Sequence, residues 1–167
     1  GRNLVTVADL DRAAEYNPSS ISKNGYAYAI AAIPDADHKA AAYKRIMEDS
    51  SLSNDALTST ANGFLRGDVG LRTPYYKPFF DSLLSMWDTR SIGMATRIVR
   101  GLYPRSLYNY GSAEGTGVSD NPSVALAQEW LHKNPSAPSA LRRLILEAQD
   151  NAHRNMIGQQ FNSSLSD

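Results

Sequence analysis

Residues 79–103, FFDSLLSMWDTRSIGMATRIVRGLY, decide how the chain folds. Tyr76, Phe79, Phe80, Leu83, Leu84 and Trp87 recur at helical spacing, which predicts one helix with a wide apolar stripe. Ile92, Ala95, Ile98, Val99 and Leu102 repeat the pattern on a second helix. Asp88, Thr89 and Arg90 leave room for little more than a turn between them, and Ser91 suits the N-cap of the second. A link that short folds the helices back on each other as an antiparallel hairpin. Neither helix hides its stripe alone, so further hairpins are expected to stack on both sides.

The flanking sequence supplies them. Thr6 and Asp9 have capping-box spacing and open a helix through Tyr16. After Asn17-Pro18, Ser19 or Ser20 starts a second helix with Tyr26, Ile30 and Ile33 on one face, where Gly25 would permit close helix approach. Pro34 stops it and Asp35 caps a third, whose stripe reads Ala36, Ala40, Tyr43 and Met47 with Ile46 alongside. Ser53 starts the next, stapled by Leu52 and Leu57, with Leu57, Ala61 and Phe64 facing inward and Gly67 past its end. Thr73-Pro74 opens the helix of the central stripe, and Pro78, one turn deeper, predicts an irregular or shifted start. Residues 105–121, RSLYNYGSAEGTGVSDN, read as a long surface loop. Asn121-Pro122 begins a helix carrying Val124, Leu126, Ala127, Trp130 and Leu131. Ser136 and Pro138 launch the last, along Leu141, Leu144, Ile145, Ala148, Ala152 and Met156. The expected fold is all-α: about eight helices in stacked antiparallel hairpins, a solenoid of HEAT or armadillo type. It occupies 1–158, with 159–167 as a flexible tail.

Composition narrows the function. The 167 residues carry 17 basic and 17 acidic side chains, a net charge of zero that gives no long-range pull toward nucleic acid or anionic lipid. Without Cys there is no disulfide framework, thiolate nucleophile or Cys-based zinc site, as suits a reducing compartment. No apolar run approaches the ~20 residues of a membrane span. The sequence opens on Gly1 with no basic-then-apolar leader, and reads as a segment of a longer protein.

Catalytic motifs are hard to find. His38, His132 and His153 each stand alone, with no pair one helical turn apart and no Glu following any of them. Asp35 and Asp37 lie near His38, but its place on a first helical turn reads as an exposed polar residue rather than a metal ligand. His153 beside Arg154 reads as a cation at a helix C-terminus. GSAEGTG at 111–117 lacks the Lys-Ser/Thr ending and preceding strand of a phosphate loop. No Ser occupies a G-x-S-x-G elbow. Arg90, Arg97, Arg100 and Arg105 are the one basic concentration, read as a solvated helix face, with contact to a peptide carboxylate or an acidic neighbouring domain as the functional alternative. Tyr75, Tyr76, Phe79 and Phe80 read as core rather than as a partner patch.

Four segments carry a family resemblance: AAIPDADHKAAAYKRIM (31–47), EDSSLSNDALTSTANGF (48–64), MWDTRSIGMATRIVRGLYP (86–104) and AQEWLHKNPSAPSALRRLILEAQDNAHR (127–154). In this order they resemble the C-terminal helical domain of the bacterial aminopeptidase N family, zinc-dependent gluzincin peptidases. The likeness runs from Asp9 to Arg154, although 105–121 looks extended relative to the family. It implies a non-catalytic domain that encloses and gates the chamber where short peptides meet the zinc. The partner is then the catalytic domain of the same polypeptide, in the cytoplasm, with zinc held there and no catalytic, cofactor or metal residue in this chain. The family's H-E-x-x-H and Gly-Ala-Met-Glu-Asn motifs are missing here. The alternative is a stand-alone helical scaffold that binds proteins through a concave face. The two readings part at the sequence ahead of Gly1, where the first requires H-E-x-x-H.

Overall fold

A computed structural model describes residues 6–16, 20–104 and 122–164. Eight α-helices run through them: α1 (Val7–Tyr16), α2 (Ser20–Ala32), α3 (Ala36–Glu48), α4 (Asn54–Phe64), α5 (Tyr76–Thr89), α6 (Ile92–Leu102), α7 (Pro122–Lys133) and α8 (Ser139–Ser164). Two single 3-10 turns, Val69–Leu71 and Thr73–Tyr75, precede α5, and the described residues contain no strand. The fold is all-α, as the hairpin periodicity predicts. The chain divides into two compact units, Gly1–Arg72 and Thr73–Asp167.

The helix boundaries are set by short-range chemistry. The Thr6 backbone N–H donates to the Asp9 carboxylate at 3.0 Å, and the Asp9 N–H returns to Thr6 Oγ1 at 3.3 Å, closing the capping box of α1. Asp35 caps α3 by accepting from the N–H groups of Asp37 and His38. Ser53 Oγ accepts from Ala56 N, and Ser91 Oγ from Met94 N, at the starts of α4 and α6. Leu52 and Leu57 are both buried, as a hydrophobic staple requires. Beyond the end of α4 the backbone turns through Gly67 at φ +82°, a conformation that only glycine adopts without strain. The tight turn Thr73–Tyr75 delays α5 to Tyr76, so Pro78 falls in the first turn, where its missing N–H would have had no partner in any case.

Within the first unit α1 packs on α2, α3 on α4, and the two hairpins meet through α2 against α4. Tyr26, Ile30 and Ile33, the face expected to be inward on α2, are half-buried; the buried line is Ala27 and Ala31. These small residues let the helices close up. A Cβ added at Gly63 on α4 would strike the Tyr28 carbonyl oxygen and come within 2.9 Å of the Ala31 Cβ. The close approach assigned to Gly25 from sequence therefore belongs to Gly63, and Gly25 faces open space. Helix α3 is also rotated from its expected register: Ala36 and Ala40 are exposed, Tyr43 and Met47 are half-buried, and Lys39, Ala42 and Ile46 point inward.

The second unit stacks two hairpins in two layers. Helix α5 pairs with α6 and α7 with α8, while α5 lies on α7 and α6 on α8. Tyr76, Phe79, Phe80, Leu83 and Met86 are buried on α5; Met86 replaces Leu84, which is 37% exposed, and Trp87 is half-buried. On α6, Ala95, Ile98, Val99 and Leu102 are buried, but Ile92, counted in the expected stripe, is 72% exposed. Phe79, Phe80 and Tyr103 form an edge-to-face trio with centroids 5.2, 6.0 and 6.4 Å apart. Of the four aromatics read as core, Tyr76, Phe79 and Phe80 are buried and Tyr75 is half-buried. Ser123, Val124, Ala127 and Trp130 are buried on α7, and Leu141, Ile145 and Ala152 on α8. Helix α8 runs on to Ser164, into the stretch expected as a tail. His153 thus lies inside a helix rather than at its C-terminus.

The Gly63 contact and the open site at Gly25 make opposite predictions. Gly63→Ala is expected to lower stability by roughly 2–3 kcal/mol through overpacking. Gly25→Ala should raise it by about 0.5–1 kcal/mol, the helix-propensity difference. Thermal unfolding of the two variants checks both signs.

Candidate functional site

The histidines have structural surroundings. His38 Nδ1 lies 2.8 Å from Asp35 Oδ2, the same oxygen that caps α3. The His38 hydrogen bond is the leading cause that holds the Asp35 carboxyl below its ordinary value. His38 is 31% exposed, turned back onto its own cap rather than out into water. His132 sits in the last turn of α7. Among the described residues, no group of three or more His, Asp or Glu could hold a metal.

Two grooves lie in the second unit. One, about 460 Å³, runs between α6 and α8 and is lined by Trp87, Ile92, Thr96, Arg100, Leu144 and Glu147 among others. Ile92, exposed at the first turn of α6, lines this furrow. Arg143 on the rim pairs with Glu147 at 2.7 Å. The other, about 310 Å³, lies between α5 and α7 over Phe80, Leu84, Leu126 and Trp130. Its rim holds two ion pairs one helical turn long, Lys77–Asp81 at 2.6 Å and Lys133–Glu129. The Lys133 hydrogen bond lowers the Glu129 carboxyl, and the same bond raises the Lys133 ammonium. Alternating charges over an apolar floor can seat a side chain or a packed helix. Neither groove presents an activated nucleophile.

Of the arginine concentration, the structure brings Arg97 and Arg100 to the exposed side of α6, one turn apart. Arg90 is the half-buried C-cap of α5. Arg105 and the 111–117 loop lie outside the described residues.

The sequence reading missed the most unusual ionisable group. Lys39 is fully buried, and its Nζ donates to the carbonyl oxygens of Ala31 (2.7 Å), Phe64 (3.1 Å) and Gly63 (3.2 Å). The ring of Phe64 lies on a further side, its centroid 5.9 Å away. Burial pushes the Lys39 ammonium down to about 8, and the nearby Arg72 charge adds to the shift. Arg72 is itself buried, and its Nε has no hydrogen-bond partner among the described residues. The available signal was spacing: Lys39, Ala42 and Ile46 fall at +3 and +4, a second possible face for α3. In the second unit the buried Tyr103 hydroxyl is likewise raised by desolvation, and it makes no hydrogen bond to described residues.

Between pH 8 and 10.5 the unfolded chain binds more protons at Lys39 than the folded one, so rising pH stabilises the fold. Below pH 8 both states are protonated and this contribution is flat. Wild type is expected to gain up to about 3 kcal/mol over a Lys39→Met variant across that window. Urea unfolding of both proteins along a pH series measures the difference, which should be constant below the window.

No family model matches the chain. Among curated proteins it is similar to aminopeptidase N of Streptomyces lividans, with 28% identity over 159 residues. That alignment covers 93% of this chain and 17% of the relative, so the chain spans about a sixth of the length of the protein it matches.

Proposed function

We propose that this chain is the non-catalytic C-terminal helical domain of a zinc-dependent aminopeptidase, where it encloses and gates the chamber that receives peptides. The alignment carries the proposal: it runs along nearly all of this chain yet occupies a small share of a protein named aminopeptidase N. A segment so placed contributes a part, and the residues here suit a wall better than a reaction centre.

Among the described residues, the donor set does not fit a catalytic zinc. Such a site needs three protein ligands and an open position. His38 is engaged with its capping Asp35, His132 lies at the end of a different helix in the other unit, and there is no Cys. No step of peptide hydrolysis is assigned to this chain. The zinc and the Glu that would act as base belong to the remainder of the parent polypeptide, which is also its partner.

Laminated hairpins serve this role for a physical reason. Each layer buries its apolar face against the next, so the unit moves as a body and can swing without unfolding. A wall of that kind excludes folded proteins and admits short, flexible peptides. The balanced charge adds no attraction for nucleic acid, and among the described residues no helix is long and apolar enough to cross a membrane. Cytoplasmic residence is part of the same proposal.

The test compares the full-length parent with a form from which this segment is deleted. The parent should hydrolyse short peptides and spare a folded protein bearing the same N-terminal residue. The deleted form should keep its zinc and lose that discrimination. Unchanged discrimination in a zinc-loaded deleted form would count against a gating role and favour an independent scaffold.

A further inference from the structure

We propose that the carbonyl oxygens of Ala31, Gly63 and Phe64 form a binding site for a primary ammonium ion, and that Lys39 fills it with a ligand tethered to α3. The site stands independently of the aminopeptidase reading. Ala31 lies in the last turn of α2, and Gly63 and Phe64 in the last turn of α4. Carbonyls there lack the N–H four residues on that a helix interior supplies, although the Gly63 oxygen also accepts from the Arg66 backbone N–H at 3.0 Å, and each helix end carries partial negative charge. The close approach at Gly63 presses the two ends together, so negative potential from both falls on one buried point.

The point is furnished for N–H donors rather than for charge alone. An ammonium on a single alkyl arm has three N–H bonds, and Lys39 Nζ meets three oxygens at 2.7–3.2 Å. The Phe64 ring covers a further side of the cation at 5.9 Å. The Arg72 guanidinium nearby opposes positive charge at this point, the Lys39 ammonium included, so the site tolerates one charge at most and the N–H bonds to the three oxygens select the ligand. A single small monocation with N–H donors is therefore the ligand that fits. Lys39 supplies it from the third helix, joining α2, α3 and α4 at one atom.

Chemical rescue is the expected consequence. Lys39→Ala leaves the carbonyls in place and opens a channel the size of the missing propylammonium arm. Propylammonium chloride should raise the thermal midpoint of Lys39→Ala in a saturable manner. Tetramethylammonium, which has charge but no N–H, and 1-propanol, which has the arm but no charge, should not at matched concentration. Wild type should show no such response. Lys39→Met, whose apolar arm fills the channel, should fold with an equilibrium constant lower by about tenfold or more and should also ignore propylammonium. A Lys39→Ala protein that gains nothing from propylammonium, whether folded or unfolded at the outset, overturns the proposal. So does equal rescue by 1-propanol, or a Lys39→Met protein as stable as wild type at neutral pH.

Discussion

Two helix backbones pressed together at Ala31 and Gly63 leave carbonyl oxygens that solvent cannot reach. That contact governs the first unit. It requires alanine and glycine at the crossing, which removes the bulk that would hold the helices apart. It also buries polar groups from two helix ends; the Gly63 oxygen already accepts from the Arg66 N–H, and a buried acceptor left without a donor would cost about 1–3 kcal/mol. Lys39 answers that need from α3, and its position fixes the rotation of α3 about its own axis. With α3 turned this way, Ala42 and Ile46 reach the core while Ala40 faces water. Desolvation of the ammonium is a real cost, which its depressed pKa expresses, and three hydrogen bonds offset it. The second unit obeys a simpler rule: its core holds an edge-to-face aromatic trio together with buried aliphatic residues and the small Ala95 and Ala127.

How much of this could be read in advance depended on the range of the interaction involved. Caps and stops are decided within four residues, so Thr6, Asp35, Ser53, Ser91 and Gly67 stood out directly. The displaced start at Pro78 followed from the same local chemistry. Rotational phase is another matter. A helix with apolar residues at several spacings offers more than one stripe, and only its neighbours choose among them. Leu84 and Ile92 fit the inward spacing, yet they face outward and line open furrows. Met86 took the inward place on α5. Glycine misled for a related reason: Gly25 and Gly63 are equivalent in a local pattern, and only the partner helix distinguishes them. Lys39 was the least legible group, because no rule of hydropathy places a lysine in a core.

The candidate functional surfaces share one character. The grooves over α6–α8 and α5–α7 combine apolar floors with exposed charges already matched by partners one turn away, such as Arg143 with Glu147 and Lys77 with Asp81. Surfaces built this way favour contact and shape over chemistry. His38 is tied to an N-cap, and the perturbed Lys39 sits with its carbonyls beyond the reach of any substrate. Under the proposed reading, an enclosing wall would need rigidity, a defined face and no reactivity of its own.

On the proposed reading this chain supplies architecture, and peptide cleavage resides elsewhere in its parent. The decisive assay uses the purified chain after equilibration with zinc: metal content by elemental analysis, together with hydrolysis of an aminoacyl anilide. A purely architectural chain should hold metal far below one equivalent and show no turnover above the zinc-only blank. One equivalent of retained zinc accompanied by turnover would contradict that division of labour.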